Sequence, residues 1–361
     1  MNSPQASPGA LQTRPHFEIL DGLRGLAAVA VVLFHFMEFV TPDYHDSFIA
    51  HGYLAVDFFF CLSGFVIAYA YDGRVRQLGT GRFFVLRLIR LHPLVLIGAT
   101  LGLLTFVFDP FSALYAKYGP GQTLGLYASA ATLVPWPNVR ERYFNLFYLN
   151  APTWSLCWEY LANVAYVLVL FRLPRRALTA LLAVAVVVLG CTAYHYNNLA
   201  VGWGGENFWG GGGRIFYSFL AGMLIYRANW IIPSRLGFAS LGVLLTAAFL
   251  VPWSDRVDWI VDPLIVLLYF PLLVALGAGA TLRPAQRRVC VFSGDISYPL
   301  YMIHYPLLWV FLSYLETHKP TLRQMGSFVP VGTLALIGLA YVVLHTLDLP
   351  LRGWLRRRLV G

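Results

Sequence analysis

Residues 20–36 read LDGLRGLAAVAVVLFHF, and this stretch decides the fold class. It begins with two charged side chains, Asp21 and Arg24, and continues with ten apolar or small residues before it reaches His35. A run of this kind is typical of a helix that enters a lipid bilayer, whose apolar core is about 30 Å thick. A histidine partway across such a helix is costly, so its purpose is the central question of this sequence.

The composition of the whole chain indicates a membrane protein. Its 361 residues are 58% hydrophobic and only 12% charged, with a mean hydropathy of +0.64. Soluble domains are nearer a quarter charged. One soluble core cannot hide this much apolar surface, so we expect an all-α polytopic protein whose main partner is the lipid bilayer, in the inner (plasma) membrane.

The net charge of +9 does not indicate nucleic acid as a partner. Only two of the 26 basic residues are lysines, Lys117 and Lys319, and the arginines cluster beside the apolar segments. That pattern is typical of charge that orients helices at an anionic membrane face. The four cysteines show neither paired nor metal-ligand spacing, so we expect no metal.

The apolar segments predict ten membrane-spanning helices, because a span needs about 20 residues, or fewer where the helix is short or buried. The predicted spans lie near residues 25–41, 52–71, 91–108, 153–171, 177–194, 214–227, 236–252, 258–280, 296–315 and 328–347. Residues 17–361 are expected to form one membrane domain. Residues 1–16 are polar and contain proline, and they predict a disordered cytoplasmic tail.

Arginines predict the orientation of these helices. The connection between the second and third spans, the RLPRR link and the closing LRGWLRRR are rich in arginine, whereas the segments 42–51 and 195–213 contain none. Since positive side chains favour the cytoplasmic face, ten spans with both termini in the cytoplasm satisfy the pattern, and an odd number does not. In the outer connection 109–150, LGLYASAATLVPW predicts an interfacial or re-entrant helix.

Three ionisable side chains are predicted at similar depth in the outer half of the membrane. At ~1.5 Å per residue, His35 lies ~9 Å from the outer boundary, Asp57 lies ~8 Å deep and Glu159 lies ~9 Å deep. Such groups usually mark a cavity or a pathway. Each has a structural alternative: His35 and His304 are also compatible with an interhelical hydrogen bond, and each carboxylate with the positive end of a helix dipole.

Five motifs resemble those of the bacterial integral-membrane acyltransferase-3 family. They are DGLRGLAAVAVVLFHF, GYLAVDFFFCLSGFVIAY, RLIRLHPL, PTWSLCWEYL and SYPLYMIHYPLL, in that order along nearly the whole chain. The resemblance implies ten helices and transfer of an acyl group, commonly acetyl from acetyl-CoA, to a hydroxyl of extracytoplasmic carbohydrate. Because RRRLVG follows the last predicted span directly, it also implies the form that lacks a C-terminal hydrolase-like domain.

The resemblance implies a role for each motif residue. His35 would be the general base, with Glu159 and Asp57 as further catalytic residues. Arginine forks bind phosphate oxygens in a bidentate fashion, so Arg24, Arg87 and Arg90 would hold the phosphates of CoA. The substrate would contact Trp154, Ser155 and His304.

A transporter or flippase for a glycan or a lipid-linked substrate is the alternative function. It also needs several helices and ionisable groups at depth. Many transporters, however, contain inverted repeats with broken helices in matching positions. We find no such pairing in this sequence, which favours the acyltransferase.

Overall fold

The computed structural model describes residues 17–360 of the chain, and the predicted tail of residues 1–16 lies outside them. The regular secondary structure of the described part is helical apart from two isolated β-bridges, and loops connect the helices. The helices are α1 Glu18–Val40, α2 Ala55–Tyr71, α3 Thr80–Val107, α4 Leu114–Thr132, α5 Thr153–Leu168, α6 Arg175–Tyr196, α7 Phe208–Arg227, α8 Phe238–Phe249, α9 Asp258–Ala278, α10 Pro284–His318 and α11 Leu322–Leu359. A π-helical turn interrupts both α9 and α11.

Each predicted span coincides with a helix, which confirms an all-α polytopic membrane protein. Within residues 17–360, six helices are long and apolar enough to cross a membrane: α1, α2 with the turn before it, α3, α6, α9 and α11. The count of ten crossings and the cytoplasmic position of both termini stay predictions. The extra helix, α4, contains part of the segment predicted as interfacial or re-entrant, and it packs against α3.

Helix ends follow the local sequence. Pro174 directly precedes α6, and Pro284 begins α10, where its missing N–H costs no hydrogen bond. At the start of α11, the Thr321 hydroxyl accepts a hydrogen bond from the backbone of Gln324, and the Gln324 side chain accepts one from the Thr321 backbone. These signals separate consecutive helices within a few residues.

Small residues allow two helix pairs to approach closely. A Cβ atom added to Gly222 of α7 would lie 1.9 Å from the carbonyl oxygen of Cys61 in α2. A Cβ added to Gly25 of α1 would lie 2.4 Å from the backbone of Ser293 in α10. Without a hydrophobic driving force between helices in lipid, such van der Waals contact is a main source of association. The α1–α10 pair carries His35 and His304 and therefore sets the geometry of the site.

We predict that Gly25→Ala destabilises the folded protein, whereas Gly338→Ala in α11 does not. Overpacking of this kind typically costs ~1–3 kcal/mol. No atom lies within 4 Å of a Cβ added to Gly338, so that variant controls for the change in helix propensity. The difference is measured by heating each variant in detergent and using size-exclusion chromatography to quantify the folded protein that remains at each temperature. Equal melting temperatures for the two variants would contradict close packing of α1 on α10.

Candidate active site

The first of two neighbouring cavities opens around His35 and is called the His35 pocket. It has a volume of about 290 Å³ and lies between the C-terminal part of α1, the start of α2, the loops before α5 and α7, and the middle of α10. Aromatic rings dominate its wall, and the lining includes Phe34, His35, Glu38, Phe39, Tyr44, Tyr53, Tyr143, Trp154, Trp203, Arg214, Tyr301 and Tyr305. The predicted orientation puts this pocket on the outer side.

Glu38 orients the imidazole of His35. The Nδ1 atom of His35 lies 3.0 Å from Oε2 of Glu38, and the Tyr44 hydroxyl donates to Oε1 at 3.4 Å. Because an ionised carboxylate only accepts hydrogen bonds, Nδ1 carries the proton and Nε2 carries the lone pair of the neutral ring. This arrangement has the logic of a hydrolytic triad, in which a carboxylate holds the base in the productive tautomer.

His304 lies behind His35 and not in the pocket wall. The two rings stack with centroids 5.4 Å apart, and Nδ1 of His304 donates to the carbonyl oxygen of Leu300 at 3.1 Å. The side chain is fully buried. His304 therefore supports the ring of His35, and the position of its side chain does not favour direct contact with substrate.

Asp57 does not line the His35 pocket, although its motif implies a catalytic role. Its carboxylate is fully buried and accepts hydrogen bonds from Arg214, the closest at 2.6 Å. Arg214 also donates to the carbonyl oxygens of Val201 and Tyr53, and its guanidinium packs over the ring of Trp154. The pair is a cross-link beneath the pocket, because a carboxylate at this depth needs a partner charge.

The second cavity, called the arginine pocket, opens between the opposite ends of the same helices. It has a volume of about 760 Å³, and its charged lining consists of Glu18, Asp21, Arg24, Arg87, Arg90, Glu159, Arg287, Asp295 and Arg352. These residues come from the first turns of α1, α3 and α10, the body of α5 and the last part of α11. The structure thus brings together the three arginines that the motifs single out.

Glu159 lines the arginine pocket and not the His35 pocket, so the structure does not bring it together with His35. Its Oε1 atom accepts hydrogen bonds from Ser63 at 2.9 Å and from Arg87 at 3.1 Å. The prediction assumed that α5 begins at the membrane face. Instead the preceding residues, 145–151, are buried, and the side-chain amide of Asn150 donates to the carbonyl oxygen of Met302 in the middle of α10. Glu159 lies about two turns farther along α5, and this distance places it in the arginine pocket.

Arg24 lines the arginine pocket and also joins α1 to α10. Its Nε donates to the Ser297 hydroxyl at 2.9 Å, and one terminal nitrogen donates to the Gly294 carbonyl oxygen at 2.8 Å. Asp21 lies 3.2 Å from the same terminal nitrogen. Arg24 therefore fixes α1 against α10 eleven residues before His35, in addition to adding positive charge to the pocket.

An aromatic contact joins the walls of the two pockets. Tyr301 lines the His35 pocket and Phe59 lines the arginine pocket, and their rings meet edge to face with centroids 5.7 Å apart. The hydroxyls of Tyr301 and Ser155 lie 2.8 Å apart. Ser155 thus holds the wall between the pockets, while its neighbour Trp154 faces the His35 pocket directly.

Sequence reasoning missed Glu38 and Arg214. Glu38 lies three residues after His35 on the same helix, a spacing that brings side chains together, and this signal was available. Arg214 was assigned to the edge of the sixth span. The helix α7 begins at Phe208, so Arg214 lies inside it and is buried.

Comparison with known proteins identifies relatives over most of the chain. Residues 17–345 match the family model described as an acyltransferase domain. Protein 2 in the picA locus of Rhizobium radiobacter is 33% identical over 190 residues, which are 50% of this chain and 96% of that protein. O-acetyltransferase OatA of Staphylococcus aureus is 24% identical over 345 residues, 87% of this chain, and the match spans 52% of OatA, about half its length. No solved structure matches the chain.

We predict that the Arg214–Asp57 pair stabilises the fold. Removing one partner leaves a buried, unpaired charge, so Arg214→Met is expected to cost ~3–5 kcal/mol. The double variant Arg214→Met with Asp57→Leu is expected to be more stable than Arg214→Met alone. Unfolding in detergent measures both, with Arg323→Met at the exposed start of α11 as the control. A double variant no more stable than Arg214→Met would show that the two charges do not depend on each other.

Proposed function

Because the chain belongs to the acyltransferase-3 family and is a membrane O-acyltransferase, we propose that it moves an acyl group, acetyl above all, from cytoplasmic acyl-CoA to a hydroxyl of an extracytoplasmic carbohydrate. One observation carries this proposal: a pocket rich in arginine and a pocket rich in aromatic rings are neighbours whose walls are in contact through Phe59 and Tyr301. A surface polysaccharide or a lipid-linked glycan is the class of acceptor, and the inner membrane is the location.

The arginine pocket suits the donor, acyl-CoA, because it offers fixed positive charge on the side that the topogenic arginines assign to the cytoplasm. Arg90 and Arg352 lie at its wall together with Arg24 and Arg87. Guanidinium groups bind phosphate oxygens in a bidentate fashion and stay protonated. Since Glu159 already pairs with Arg87, we propose that this carboxylate orients Arg87 toward the ligand and does not take part in the chemistry.

The His35 pocket suits a sugar. Sugars pack their apolar faces on aromatic rings, and Trp154, Trp203 and Tyr53 provide such rings. Carboxylate and hydroxyl oxygens along the wall can accept hydrogen bonds from sugar hydroxyls. The guanidinium of Arg214 is committed to Asp57 and to carbonyl oxygens, so the wall favours an uncharged sugar over an acidic one.

The proposed reaction is direct transfer. Nε2 of His35 takes the proton of the acceptor hydroxyl as its oxygen attacks the carbonyl carbon of the thioester. The carbon–sulfur bond then breaks, and the leaving thiolate takes the proton from the imidazolium, which gives the ester and free CoA. Glu38 stabilises the imidazolium while it carries the proton.

The acyl end of the donor must pass the wall between the pockets. We propose that Phe59 and Tyr301 separate to admit the narrow pantetheine arm, since their rings are the contact that divides donor from acceptor. The polar bond between Tyr301 and Ser155 would guide that movement. Membership of an acyltransferase family also favours this function over the transporter or flippase.

We predict that His35→Ala strongly lowers the rate of transfer while the protein stays folded. General base catalysis contributes typically ~10²–10⁴-fold, so turnover is expected to fall within this range. Inverted membrane vesicles supplied with radiolabelled acetyl-CoA, with label counted in the glycan fraction, measure it. Glu38→Gln keeps an acceptor for Nδ1 but loses the charge, so a smaller fall is expected.

The matched control is His318→Ala, since His318 is exposed at the end of α10. It is expected to transfer label at the rate of the unaltered protein. Normal turnover in folded His35→Ala would remove His35 from the mechanism. Normal turnover in Glu38→Gln would show that the negative charge of Glu38 is not needed, and it would leave the role of His35 unchanged.

We also predict that Arg87→Lys with Arg90→Lys weakens acyl-CoA binding at least ~tenfold. Lysine keeps the charge but loses the fork, and a charge-assisted hydrogen bond contributes ~1.5–3 kcal/mol. Calorimetry on detergent-solubilised protein with acetyl-CoA measures the dissociation constant. The control changes Arg175 and Arg176, which are exposed at the start of α6, to lysine. If the double variant binds acetyl-CoA with unchanged affinity, these arginines only orient the helices in the membrane.

A further inference from the structure

Three fully buried ionisable side chains lie beside the His35 pocket and take no part in the proposed reaction. His51 precedes α2, and Asp258 and Asp262 lie in the first turns of α9. Their side chains are 0%, 1% and 0% exposed. Burial of three such groups without a compensating arrangement of protons would be costly.

In each of the three side chains, one polar atom has a hydrogen-bond partner outside the cluster. Nδ1 of His51 lies 2.9 Å from the carbonyl oxygen of Val251, and because a carbonyl only accepts, Nδ1 carries a proton. Oδ2 of Asp258 accepts the backbone N–H of Ser254 at 2.9 Å.

Asp262 completes the cluster and connects it to the pocket. Its Oδ2 atom accepts the Tyr53 hydroxyl at 2.6 Å and the backbone N–H of Leu199 at 2.7 Å. The remaining atoms, Nε2 of His51 and Oδ1 of each aspartate, are buried without a hydrogen-bond partner. They face one another, since Nε2 lies 3.5 Å from Asp258 and 3.4 Å from Asp262.

A neutral His51 would direct the lone pair of Nε2 at two carboxylates, which is repulsive. A proton on one carboxyl group would form one short bond to nitrogen, whereas the two distances are nearly equal and both long. Among the described residues, no group of His, Cys, Asp or Glu side chains has the arrangement to hold a metal ion. A second proton on the ring would place a positive charge between the two carboxylate oxygens and so turn both contacts into ion pairs.

We propose that His51 is an imidazolium that bridges Asp258 and Asp262, and that through Asp262 it positions Tyr53 in the wall of the His35 pocket. The proton on His51 follows from the cluster alone. Its effect on acceptor binding rests on the proposed function.

The effect reaches the base through a short series of contacts. The ring of Tyr53 stacks on Tyr44 with centroids 6.5 Å apart, and the Tyr44 hydroxyl donates to Glu38, the partner of His35. Loss of the proton would leave two carboxylates facing a lone pair, and the aspartate that holds Tyr53 would move.

The other charged groups nearby are the buried Arg214, which donates to the Tyr53 carbonyl oxygen, and three side chains on the exposed rim. His45 contacts Asp43 at 2.9 Å and Asp255 at 3.5 Å, and its hydrogen bond to Asp43 raises the pKa of His45. Its ring is half exposed, so it exchanges protons with solvent in the ordinary way. His45 is therefore the matched control for His51.

Solid-state NMR of the full chain in lipid bilayers tests the proposal without a transfer assay. Residues 50 and 51 form the sole Ala–His step in the sequence, so ¹³C-carbonyl alanine with ¹⁵N-histidine identifies His51 without a variant. We expect both ring nitrogens of His51 to be protonated near pH 7, where an unperturbed histidine (pKa ~6.5) is mostly neutral.

The NMR signal of ¹³C-labelled tyrosine Cζ reports whether His51 positions Tyr53. Tyr53→Phe assigns the signal of Tyr53. His51→Gln, which keeps an N–H donor but holds no charge, is expected to shift that signal, whereas His45→Gln is not.

Three results would overturn the proposal. The first is one unprotonated ring nitrogen on His51 near pH 7. The second is broadening of the His51 signals by micromolar Mn²⁺, which would assign the cluster to a cation. The third is a Tyr53 signal that is the same in His51→Gln and in the unaltered protein. Each leaves the acyl transfer reaction itself untouched.

Discussion

The cost of an unpaired charge in a low-dielectric interior governs this structure. Every deeply buried ionic side chain described above has a partner on another helix or loop: Asp57 has Arg214, and Glu159 has Arg87. At the opposite ends of α2 and α7, the helices of the Asp57–Arg214 pair, Nε of Arg227 lies 2.6 Å from Oδ2 of Asp72. Breaking a buried pair typically costs several kcal/mol, because the remaining charge has no water to stabilise it. Helix positions are therefore set by charge pairing as well as by apolar contact.

The same requirement divides the molecule into two chemical environments. Five arginines gather in the arginine pocket, where Arg24 and Arg87 also contact carboxylates, whereas Arg214 is fully buried against Asp57 and is structural. The His35 pocket is left with aromatic walls and one histidine–glutamate pair. The rings of Phe59 and Tyr301 are in contact between the two pockets, and the proposed donor and acceptor would have to meet across that contact.

The α1–α10 pair links these environments. Arg24 near one end of α1 bonds α10, and His35 near the other end stacks on His304 of α10. Close packing at Gly25 holds the two helices in a fixed register. The eleven-residue spacing of Arg24 and His35 is three turns of helix, so both face the same partner.

The sequence by itself determined the helices, the membrane class, the family resemblance and the place of His35 and the arginines. These properties depend on composition, on periodicity along one helix and on local end signals, which need no knowledge of neighbouring helices. Depth counted from an assumed membrane face did not predict which pocket Glu159 lines, nor that Asp57 is buried away from both pockets. Only the tertiary structure decided that residues 145–151 are buried, that Glu159 lies with the arginines and that Asp57 pairs with Arg214. Charge partners lie across helices far apart in sequence, and no single segment specifies them.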